Sequence, residues 1–566
     1  MALNIYEPTL RSVPADLERR LTACASGGAD QVVDIIVAGG TVLDGSGTDP
    51  IRADVAIQGD RIVAVAAALP GYHAAAVIDA HGLRVAPGFI DIHTHSDISV
   101  HFNPGMASMV SQGVTTQVVG NCSLCLGLAL DDPAFAFERR WLSSHGVKIT
   151  WSDMAGHLGR VEDDGVATNY VMLAGHGTIR KRVMGMAGRA AGADEIERMK
   201  AIALRAMEQG AWGLSTGLEY QPSSYAGVEE LAAVSSVMRA YGGFYATHLR
   251  NEGDLLLEAV REAIQVGEEA GVPVQLSHHK AEGRQNWGKV HETLKLVEAA
   301  RARGVDIQMD QYPYTAFMTS MSIQFLPDWA LEGDADDVGA RLRDPGQRAR
   351  VREAMLANRP EWADDAPGGV WGDVRIGASR DNPALQGRTI AELAAERGVS
   401  CVDTTLDLIA SALNFISAVN FAISEEDIAV VMRHPWTMIG SDAVGTAPVG
   451  KMAEEKVHPR CYGTFPRVLG RYCREKGLLS EAAAVQKMTQ LPASRLGLDG
   501  RGLLRPGYFA DLVVYDPETV GDANSYEDPH QFSHGIDTVL VNGRVAWQDG
   551  AETGVRSGRA LRRPSP

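Results

Sequence analysis

The residues with the clearest chemical potential are two histidines at the end of a short apolar run. The run 85–92 has the length and composition of a buried strand, and His93 and His95 follow it two residues apart. Side chains alternate along an extended chain, so the two imidazoles are predicted to point the same way. Two imidazoles side by side can form half of a metal site, although an isolated His-x-His motif is equally typical of an ordinary strand end.

Further metal-binding and acidic side chains follow other apolar runs. They are Cys122, His176, Glu219, His248, His278, Asp310 and Asp442. His248 comes directly after a run rich in Tyr and Ala, where a metal ligand is favoured over a core histidine. For His176, Glu219 and Asp310, a hydrogen-bonded structural role is an equal alternative.

Two adjacent histidines, His278 and His279, cannot both face one metal ion. Alternation places His278 and Lys280 on one face of the chain and His279 on the other. We therefore assign the ligand role to His278 and predict that His279 is packed or supports a ligand from behind.

The elements that must position these residues are eight runs of strand length that alternate with helical patterns. The candidate strands are 85–92, 115–120, 168–174, 211–216, 243–247, 273–277, 305–309 and 436–440. This alternation predicts an α/β fold, and eight units predict a TIM (β/α)8 barrel. Active sites of such barrels lie at the C-terminal ends of the strands, where the candidate ligands are found. A doubly wound sheet is the main alternative, but it gives no reason for this clustering.

Short alternating strands with turn signals occur at both ends of the chain. They are 33–37, 54–58, 61–65 and 77–79, and then 510–515, 538–541 and 544–547. The dipeptide Asn542-Gly543 predicts a hairpin turn. Neither group has enough strands for its own core, so we predict one small β-sandwich with 31–86 as its first part and 499–556 as its second.

The residues between these two parts, 87–498, are predicted to form the barrel domain. The stretch between its seventh and eighth strands is too long for a loop, which predicts an inserted subdomain over about 317–380. The first residues, 1–30, are predicted to be an arm with one helix at 14–24. The last residues, 557–566, are predicted to be a C-terminal tail.

Composition limits the classes of partner and location. A net charge of -18 over 566 residues argues against nucleic acid and anionic membranes as partners. Six cysteines in a chain of this size do not form a disulfide framework. We find neither an apolar run of membrane-spanning length nor a signal-peptide pattern, which predicts a cytoplasmic protein. The sequence leaves open whether the protein is a homo-oligomer.

Several longer motifs resemble the amidohydrolase superfamily, and more narrowly its N-acyl-D-amino-acid deacylases (D-aminoacylases). They are Ala86-Pro-Gly-Phe-Ile-Asp-Ile-His-Thr-His-Ser-Asp97, Gln112-Gly-Val-Thr-Thr116, Gly120-Asn-Cys-Ser123, Tyr245-Ala-Thr-His-Leu-Arg250, Ser277-His-His-Lys280, Gly440-Ser-Asp442, His458-Pro-Arg460 and Gly463-Thr-Phe-Pro-Arg467. The resemblance runs from about residue 33 to residue 547. Two departures concern substrate range: Ser123 stands where the family often has Gly, and the segment 317–380 is long.

The resemblance implies a distorted barrel, a β-sandwich built from both chain ends, and bound zinc. By this resemblance, Cys122, His248 and His278 match the ligands of a tightly held zinc ion. His93 and His95 match a second site that is weaker or empty. A thiolate with two imidazoles is also a suitable three-ligand zinc set with an open fourth position.

The resemblance also implies roles in catalysis and substrate binding. Asp442 matches the catalytic acid and base, and Lys280, Tyr312 and Arg460 match the residues that meet the substrate's carboxylate. Lys and Arg charges with a Tyr hydroxyl suit a carboxylate chemically, although a surface ion pair is the alternative for Arg460. The predicted partner is therefore a small molecule that bears a carboxylate.

The predicted function is zinc-dependent hydrolysis of N-acyl-D-amino acids to a carboxylate and a free D-amino acid. A cyclic-amide hydrolase of the hydantoinase or dihydroorotase type, or an L-D dipeptidase, is the alternative. Cyclic-amide relatives use a carbamylated lysine at the end of strand four, and here that strand ends at Glu219 without a lysine. An aminohydrolase of bases would need no carboxylate clamp, and a non-catalytic scaffold would be expected to have lost ligands.

Overall fold

We analysed a computed structural model that describes residues 31–128, 135–333, 335–366, 369–411 and 416–565. The helix predicted at 14–24 lies outside these residues. Within the described ranges, none of the helices is both long and apolar enough to cross a membrane.

Strands and helices alternate through most of the chain. The strands are β1 (Gln31–Val42), β2 (Ile51–Gln58), β3 (Arg61–Ala66), β4 (Tyr72–Asp79), β5 (Arg84–Pro87), β6 (Phe89–Asp91), β7 (Val114–Val119), β8 (Asn169–Met172), β9 (Ala174–Gly175), β10 (Gly213–Gly217), β11 (Phe244–His248), β12 (Val274–Leu276), β13 (Ile307–Gln311), β14 (Phe317–Ser320), β15 (Val374–Ser379), β16 (Ile416–Asn420), β17 (Thr437–Ile439), β18 (Leu512–Tyr515), β19 (Ile536–Val541), β20 (Arg544–Gln548), β21 (Ala551–Glu552) and β22 (Ala560–Leu561). The α-helices are α1 (Ala107–Val110), α2 (Ala136–Ser144), α3 (Met154–Asp164), α4 (His176–Met184), α5 (Ala193–Glu208), α6 (Val228–Ser235), α7 (Leu256–Ala270), α8 (Val290–Ala302), α9 (Met321–Phe325), α10 (Ala335–Arg343), α11 (Pro345–Asn358), α12 (Ile390–Arg397), α13 (Cys401–Ser411), α14 (Glu425–Arg433), α15 (Arg460–Arg467), α16 (Glu481–Met488) and α17 (Gln490–Leu496).

Both ends of the described chain contribute to one nine-stranded sheet. Its order is β21-β20-β19-β18-β5-β1-β2-β3, with β4 paired to β1. The antiparallel pair of β18 with β5 joins the two ends. Asn542 and Gly543 connect β19 to β20 with φ of 48° and 76°, so the predicted hairpin turn is confirmed.

The predicted α/β character is confirmed in two parallel sheets. One has the order β17-β13-β12-β11-β10-β9, and the other has the order β22-β8-β7-β6. All eight predicted runs contribute strands to these sheets, with ends shifted by a few residues, but 85–92 and 168–174 are each divided between two sheets. The strands β7, β10, β11, β12 and β17 are buried along their whole length. Because both faces of these strands are buried, their sequences show no alternation of polar and apolar residues, and some of the buried side chains, such as Gln117 and Ser215, are polar.

The sequence predicts one strand over 85–92, and this is wrong, because the chain breaks at Gly88. β5 belongs to the nine-stranded sheet and β6 to a parallel sheet. A Cβ atom on Gly88 would lie 2.3 Å from the Thr115 side chain. Only glycine lets the backbone pass so close to its neighbour while it changes sheets.

The long segment between β13 and β17 has a small sheet and a core of its own. The strands β14 and β15 both pair antiparallel with β16. Buried side chains from Met321 to Ala418 pack together, with Trp371 fully buried among them. The unit therefore extends past the predicted limit of 380, since its central strand, β16, is the last of the three in the sequence.

The C-terminal segment predicted as a tail joins the fold. β22 pairs in parallel with β8, and the Trp212 indole donates a hydrogen bond to the Leu561 carbonyl at 2.7 Å.

Candidate metal centre

Three candidate residues share an unusual backbone conformation just beyond the ends of parallel strands. Cys122 follows β7, His278 follows β12 and Asp442 follows β17, with φ of 50°, 35° and 52°. Residues other than glycine seldom adopt such angles, and they persist where the surrounding fold holds them. Each strand end therefore turns sharply and presents its side chain at a common place.

The Cys122 thiol lies among three imidazoles. Its Sγ is 3.4 Å from His93 Nε2, 3.6 Å from His278 Nε2 and 3.8 Å from His248 Nδ1. His248 Nδ1 and His278 Nε2 are 2.9 Å apart. One sulfur and three ring nitrogens thus converge, as the sequence predicts for these strand ends.

Asp442 forms the other side of this cluster. Its Oδ1 lies 3.0 Å from His95 Nε2 and 3.5 Å from His93 Nε2. Its Oδ2 lies 2.6 Å from Arg460 Nη1. The carboxylate therefore links the histidine pair to the arginine predicted to bind substrate.

Two carboxylates orient the imidazoles from behind. Glu252 Oε1 lies 3.1 Å from His278 Nδ1, which leaves Nε2 to face Cys122. Glu219 Oε2 lies 3.1 Å from His248 Nε2, which leaves Nδ1 to face the cluster. The sequence predicts a metal-site or a structural role equally for Glu219, and it does not mark Glu252, which lies four residues after His248 in a loop rather than at a strand end. Because Glu252 lies in neither a helix nor a strand, its spacing from His248 gives no signal that could have found it.

Electrostatics favour the thiolate form of Cys122. Burial raises the pKa of this thiol, but the neighbouring charge of His93 and hydrogen bonds from His248 and His278 outweigh it. The pKa therefore lies well below its ordinary value. A thiolate is the form of cysteine that binds metal ions.

Asp442 is also held in its charged form. Burial raises the pKa of its carboxyl, but the charges of Arg460 and His278 act in the other direction and hold that pKa well below its ordinary value.

The donor set fits a transition-metal ion. One ligand atom each from His93, Cys122, His278 and Asp442 lies within 4.8 Å of the others, and a second such group joins His248 and Glu252 to His278. Thiolate, imidazole and carboxylate are the usual ligands of zinc. The carboxylates behind His248 and His278 are the supporting partners that metal-bound imidazoles generally have.

His278 and Lys280 lie on one side of the chain and His279 on the other, as predicted, but strand alternation is not the cause. β12 ends at Leu276, so strand alternation does not reach His278. The left-handed turn at His278 separates the side chains instead. His279 is fully buried and its Nε2 lies 2.7 Å from Thr293 Oγ1, so it packs away from the cluster as predicted.

The three predicted carboxylate-binding residues lie together. The Lys280 ammonium lies 5.7 Å and the Arg460 guanidinium 4.9 Å from the centre of the Tyr312 ring. Lys280 forms an ion pair with Glu252 at 2.5 Å. Within the described part of the chain, the Tyr312 hydroxyl and Arg460 Nε lack hydrogen-bond partners.

A cavity of about 610 Å³ opens beside the cluster. His95, Cys122, His278, Asp442 and Arg460 all line it. Lys280 and Tyr312 lie behind this wall rather than on it, so Arg460 is the predicted carboxylate-binding residue that the cavity reaches.

The remaining candidates from the sequence have structural partners. His176 lies between Ser223 Oγ at 2.7 Å and Glu230 Oε1 at 3.1 Å, away from the cluster. Asp310 Oδ1 accepts a hydrogen bond from the His278 backbone N–H at 2.8 Å. Both residues therefore have the hydrogen-bonded structural role that the sequence leaves as the alternative to a metal-site role.

Comparison with known proteins agrees with this geometry. Residues 76–547 match the model of the amidohydrolase family. The chain is 40% identical to a D-aminoacylase of Alcaligenes xylosoxydans xylosoxydans over 534 residues, which cover 94% of this chain and 98% of that protein. It belongs to the amidohydrolase family. The predicted resemblance is thereby confirmed.

Two further comparisons describe neighbours of this amidohydrolase. An N-acyl-D-glutamate deacylase of Alcaligenes xylosoxydans xylosoxydans is 36% identical, with 94% of this chain and 97% of that protein covered. The crystal structure of an N-acyl-D-glutamate deacylase from Bordetella bronchiseptica, complexed with zinc and a phosphonate inhibitor that mimics the tetrahedral intermediate, superposes with a TM-score of 0.78. It is 32% identical and covers 94% of this chain and 100% of that chain.

Proposed function

We propose that this amidohydrolase is a zinc-dependent enzyme that cleaves the amide bond of N-acyl-D-amino acids to a carboxylate and a free D-amino acid. The observation that carries the proposal is the Cys122 thiol among three imidazoles, beside the Asp442–Arg460 ion pair at the wall of a cavity. The named relatives support the choice of a linear N-acyl-D-amino acid.

Zinc is the metal that this donor set suits best. Cys122, His248 and His278 would hold one ion tightly, since they offer a thiolate and two imidazoles. His93, His95 and Asp442 would form a second and weaker site that shares Cys122. When bound, zinc would supply Lewis-acid polarisation of the scissile carbonyl and a more acidic water.

Asp442 is the group that moves the proton. Its ionised Oδ1 accepts a proton from the attacking water, and it then gives that proton to the amine, which leaves only once protonated. The 3.0 Å contact with His95 and the contact with Arg460 fix the orientation of the carboxylate. Both neighbours stabilise the charged form that a general base requires.

Arg460 orients the substrate. Its Nη1 holds Asp442, while its Nε has no partner among the described residues and can donate to the carboxylate of the substrate. The Tyr312 hydroxyl also lacks a partner among the described residues, but Tyr312 lies behind the cavity wall, so its contribution is to pack against the Arg460 guanidinium. Lys280 contributes positive charge from behind, although its ammonium already pairs with Glu252.

We also infer that the two parallel sheets form one distorted eight-stranded barrel. Only Leu173 separates β8 in one sheet from β9 in the other. Beyond β6 and β17, Thr94 and Ala443 form a parallel bridge, and the Asp442 N–H donates to the His93 carbonyl at 2.8 Å. These links support closure of the barrel at the two places where the parallel sheets meet, between β8 and β9 and between β6 and β17. We further infer that the nine-stranded sheet is the predicted β-sandwich of both chain ends.

The substrate class can be tested through Arg460. The Arg460→Ala variant leaves the substrate's carboxylate unpaired in a partly desolvated site, which costs on the order of 2–5 kcal/mol in kcat/KM. An analogue with a neutral amide in place of the carboxylate should be poor with the native enzyme and should lose less in the variant, because for this substrate the variant removes only the support that Arg460 gives Asp442. Equal losses on both substrates would contradict a carboxylate clamp.

The reaction class needs a separate comparison. Native enzyme loaded with zinc should hydrolyse N-acetyl-D-methionine and leave hydantoin intact. Hydrolysis of the cyclic substrate alone would favour a cyclic-amide hydrolase instead.

A further inference from the structure

His458 is a buried histidine to which the mechanism above gives no role. It stands two residues before Arg460 and lines the cavity, but only 2% of its surface is exposed. Its Nδ1 lies 3.0 Å from the Arg460 backbone nitrogen, and its Nε2 lies 3.0 Å from the Ala316 carbonyl oxygen. Both ring nitrogens therefore have partners within the protein, and neither is left for the substrate.

These two contacts decide where the imidazole carries its proton. The Arg460 N–H can only donate, so Nδ1 accepts, and the Ala316 carbonyl can only accept, so the proton is on Nε2. Burial and the nearby charge of Arg460 lower the pKa of His458 well below its ordinary value, which keeps the ring neutral. A neutral imidazole thus joins Arg460 to the segment between β13 and β14.

Aromatic rings hold this imidazole in its orientation. The ring centres of Tyr314 and Tyr526 lie 5.3 Å and 5.1 Å from that of His458, and both rings meet it edge to face. Tyr314 follows β13, whereas Tyr526 lies between β18 and β19. Aromatic pairs prefer such edge-to-face contacts. The imidazole therefore has little freedom to turn away from Arg460.

The backbone from which the Arg460 side chain extends is held at two points. Arg460 is the first residue of α15, so its N–H has no acceptor within the helix and depends on His458. The Pro459 carbonyl accepts a hydrogen bond from Asn524 Nδ2 at 2.6 Å. From this backbone the guanidinium reaches Asp442, with Nη1 2.6 Å from Oδ2.

We propose that His458 is a positioning residue that directs the Arg460 guanidinium toward the carboxylate of the substrate, with Asn524 as a second support. This role rests on the proposed function, because it requires that Arg460 binds that carboxylate. A side-chain acceptor can reach the backbone N–H two residues further on, as in an Asx turn. The spacing of the His-Pro-Arg motif follows from this contact.

The first test compares N-acetyl-D-methionine with its neutral analogue, N-acetyl-D-methioninamide. His458→Leu removes the acceptor for the Arg460 N–H, so the ratio of kcat/KM for the acid to that for the amide should fall roughly tenfold in zinc-loaded enzyme. His458→Asn keeps an acceptor for the same N–H and should stay within about threefold of the native ratio. An unchanged ratio in His458→Leu, or an equal fall in both variants, would overturn the proposal.

A double-mutant cycle shows whether His458 acts through Arg460. In an Arg460→Ala background, His458→Leu should change the substrate ratio by less than about twofold, because the side chain that it positions is gone. A second tenfold fall in that background would give the histidine a role of its own and contradict the proposal. Zinc per chain in His458→Leu should equal that of the native enzyme, and a loss of zinc would count against the proposal in the same way.

His157 provides a matched control. It is also fully buried, with Nδ1 3.3 Å from His101 Nε2 and Nε2 3.1 Å from the Tyr170 hydroxyl, but it lies outside the cavity lining. His157→Leu should lower Tm and leave the substrate ratio unchanged. A fall in the ratio as large as that in His458→Leu would show that the loss of any buried histidine has this effect, and the proposal would fail.

A variant at Asn524 replaces His458→Leu should the latter not fold. Asn524→Ala removes the donor to the Pro459 carbonyl and should lower the substrate ratio about threefold, whereas an unchanged ratio would refute the proposal. Native zinc-loaded enzyme that hydrolyses neither substrate would refute the proposed function, and the role of His458 with it. Hydrolysis by the native enzyme with no change in the variants would refute the role of His458 alone.

Discussion

Cys122 and Cys125 lie three residues apart in environments of opposite character. The first faces three imidazoles, which hold the pKa of its thiol low despite burial. The second is fully buried, and burial raises the pKa of its thiol to about 12. Only Cys122 is therefore available as a thiolate for metal binding.

This contrast gives a matched pair of variants. Cys122→Ala should lose the tightly held zinc, because it removes the anionic ligand of the set, whereas Cys125→Ala should retain it. Zinc per chain, measured by elemental analysis after dialysis, reports the outcome directly. Full occupancy in Cys122→Ala would show that the metal is held elsewhere.

Asp442 tests the chemistry independently of metal binding. Asp442→Asn keeps the shape of the side chain but removes the base, so kcat should fall by ~10²–10⁴-fold. The tight zinc should remain, since Cys122, His248 and His278 are intact. Near-normal turnover in a zinc-loaded variant would assign proton transfer to another group.

At the scale of secondary structure, the chain passes from the nine-stranded sheet to a parallel sheet at Gly88, between β5 and β6. His93 follows β6 directly beyond its end. Gly88→Ala would place a Cβ atom 2.3 Å from Thr115, so the backbone must shift. We expect a loss of roughly 1–3 kcal/mol in unfolding free energy, seen as a lower Tm.

A second glycine provides the control for this prediction. Gly159 lies inside α3, and a Cβ atom there would have no neighbour within 4 Å. Gly159→Ala should therefore stabilise the helix and raise Tm. A lower Tm in Gly159→Ala, or no change in Gly88→Ala, would contradict this account of the two positions.

The sequence predicts elements better than it predicts their ends. All eight predicted runs contain strands of the parallel sheets, but the break at Gly88 depends on contact with Thr115, 27 positions along the chain. The inserted unit is underestimated for a similar reason, because β16 closes its sheet only after 416. Contacts between distant residues decide both boundaries, and periodicity does not encode them.

For the site, the strand-end rule and the motifs select side chains that the structure brings together, but they omit the residues that support them. Glu252 comes from a loop, so no strand end marks it, yet it fixes His278. The Arg460–Asp442 ion pair also cannot be predicted from the sequence, since Asp442 follows β17 and Arg460 begins α15. Direct ligands follow from residue type and position, whereas supporting partners depend on the folded path of loops.

At the scale of the whole molecule, the parallel strand ends, the cavity and the relatives converge on one reaction. The strands bring Cys122, His278 and Asp442 to one place. The cavity gives a small molecule access to them, and Arg460 on its wall suits a carboxylate. The cytoplasmic location and the oligomeric state stay predictions that none of these observations tests.

Hydrolysis of racemic N-acetylmethionine, followed by chiral analysis of the products, tests the central claim most directly. Zinc-loaded enzyme should release D-methionine only and stop once the D enantiomer is consumed. Enzyme stripped by a chelator should be inactive and recover when zinc is returned. Release of L-methionine, or full activity in the stripped protein, would contradict a zinc-dependent N-acyl-D-amino-acid hydrolase.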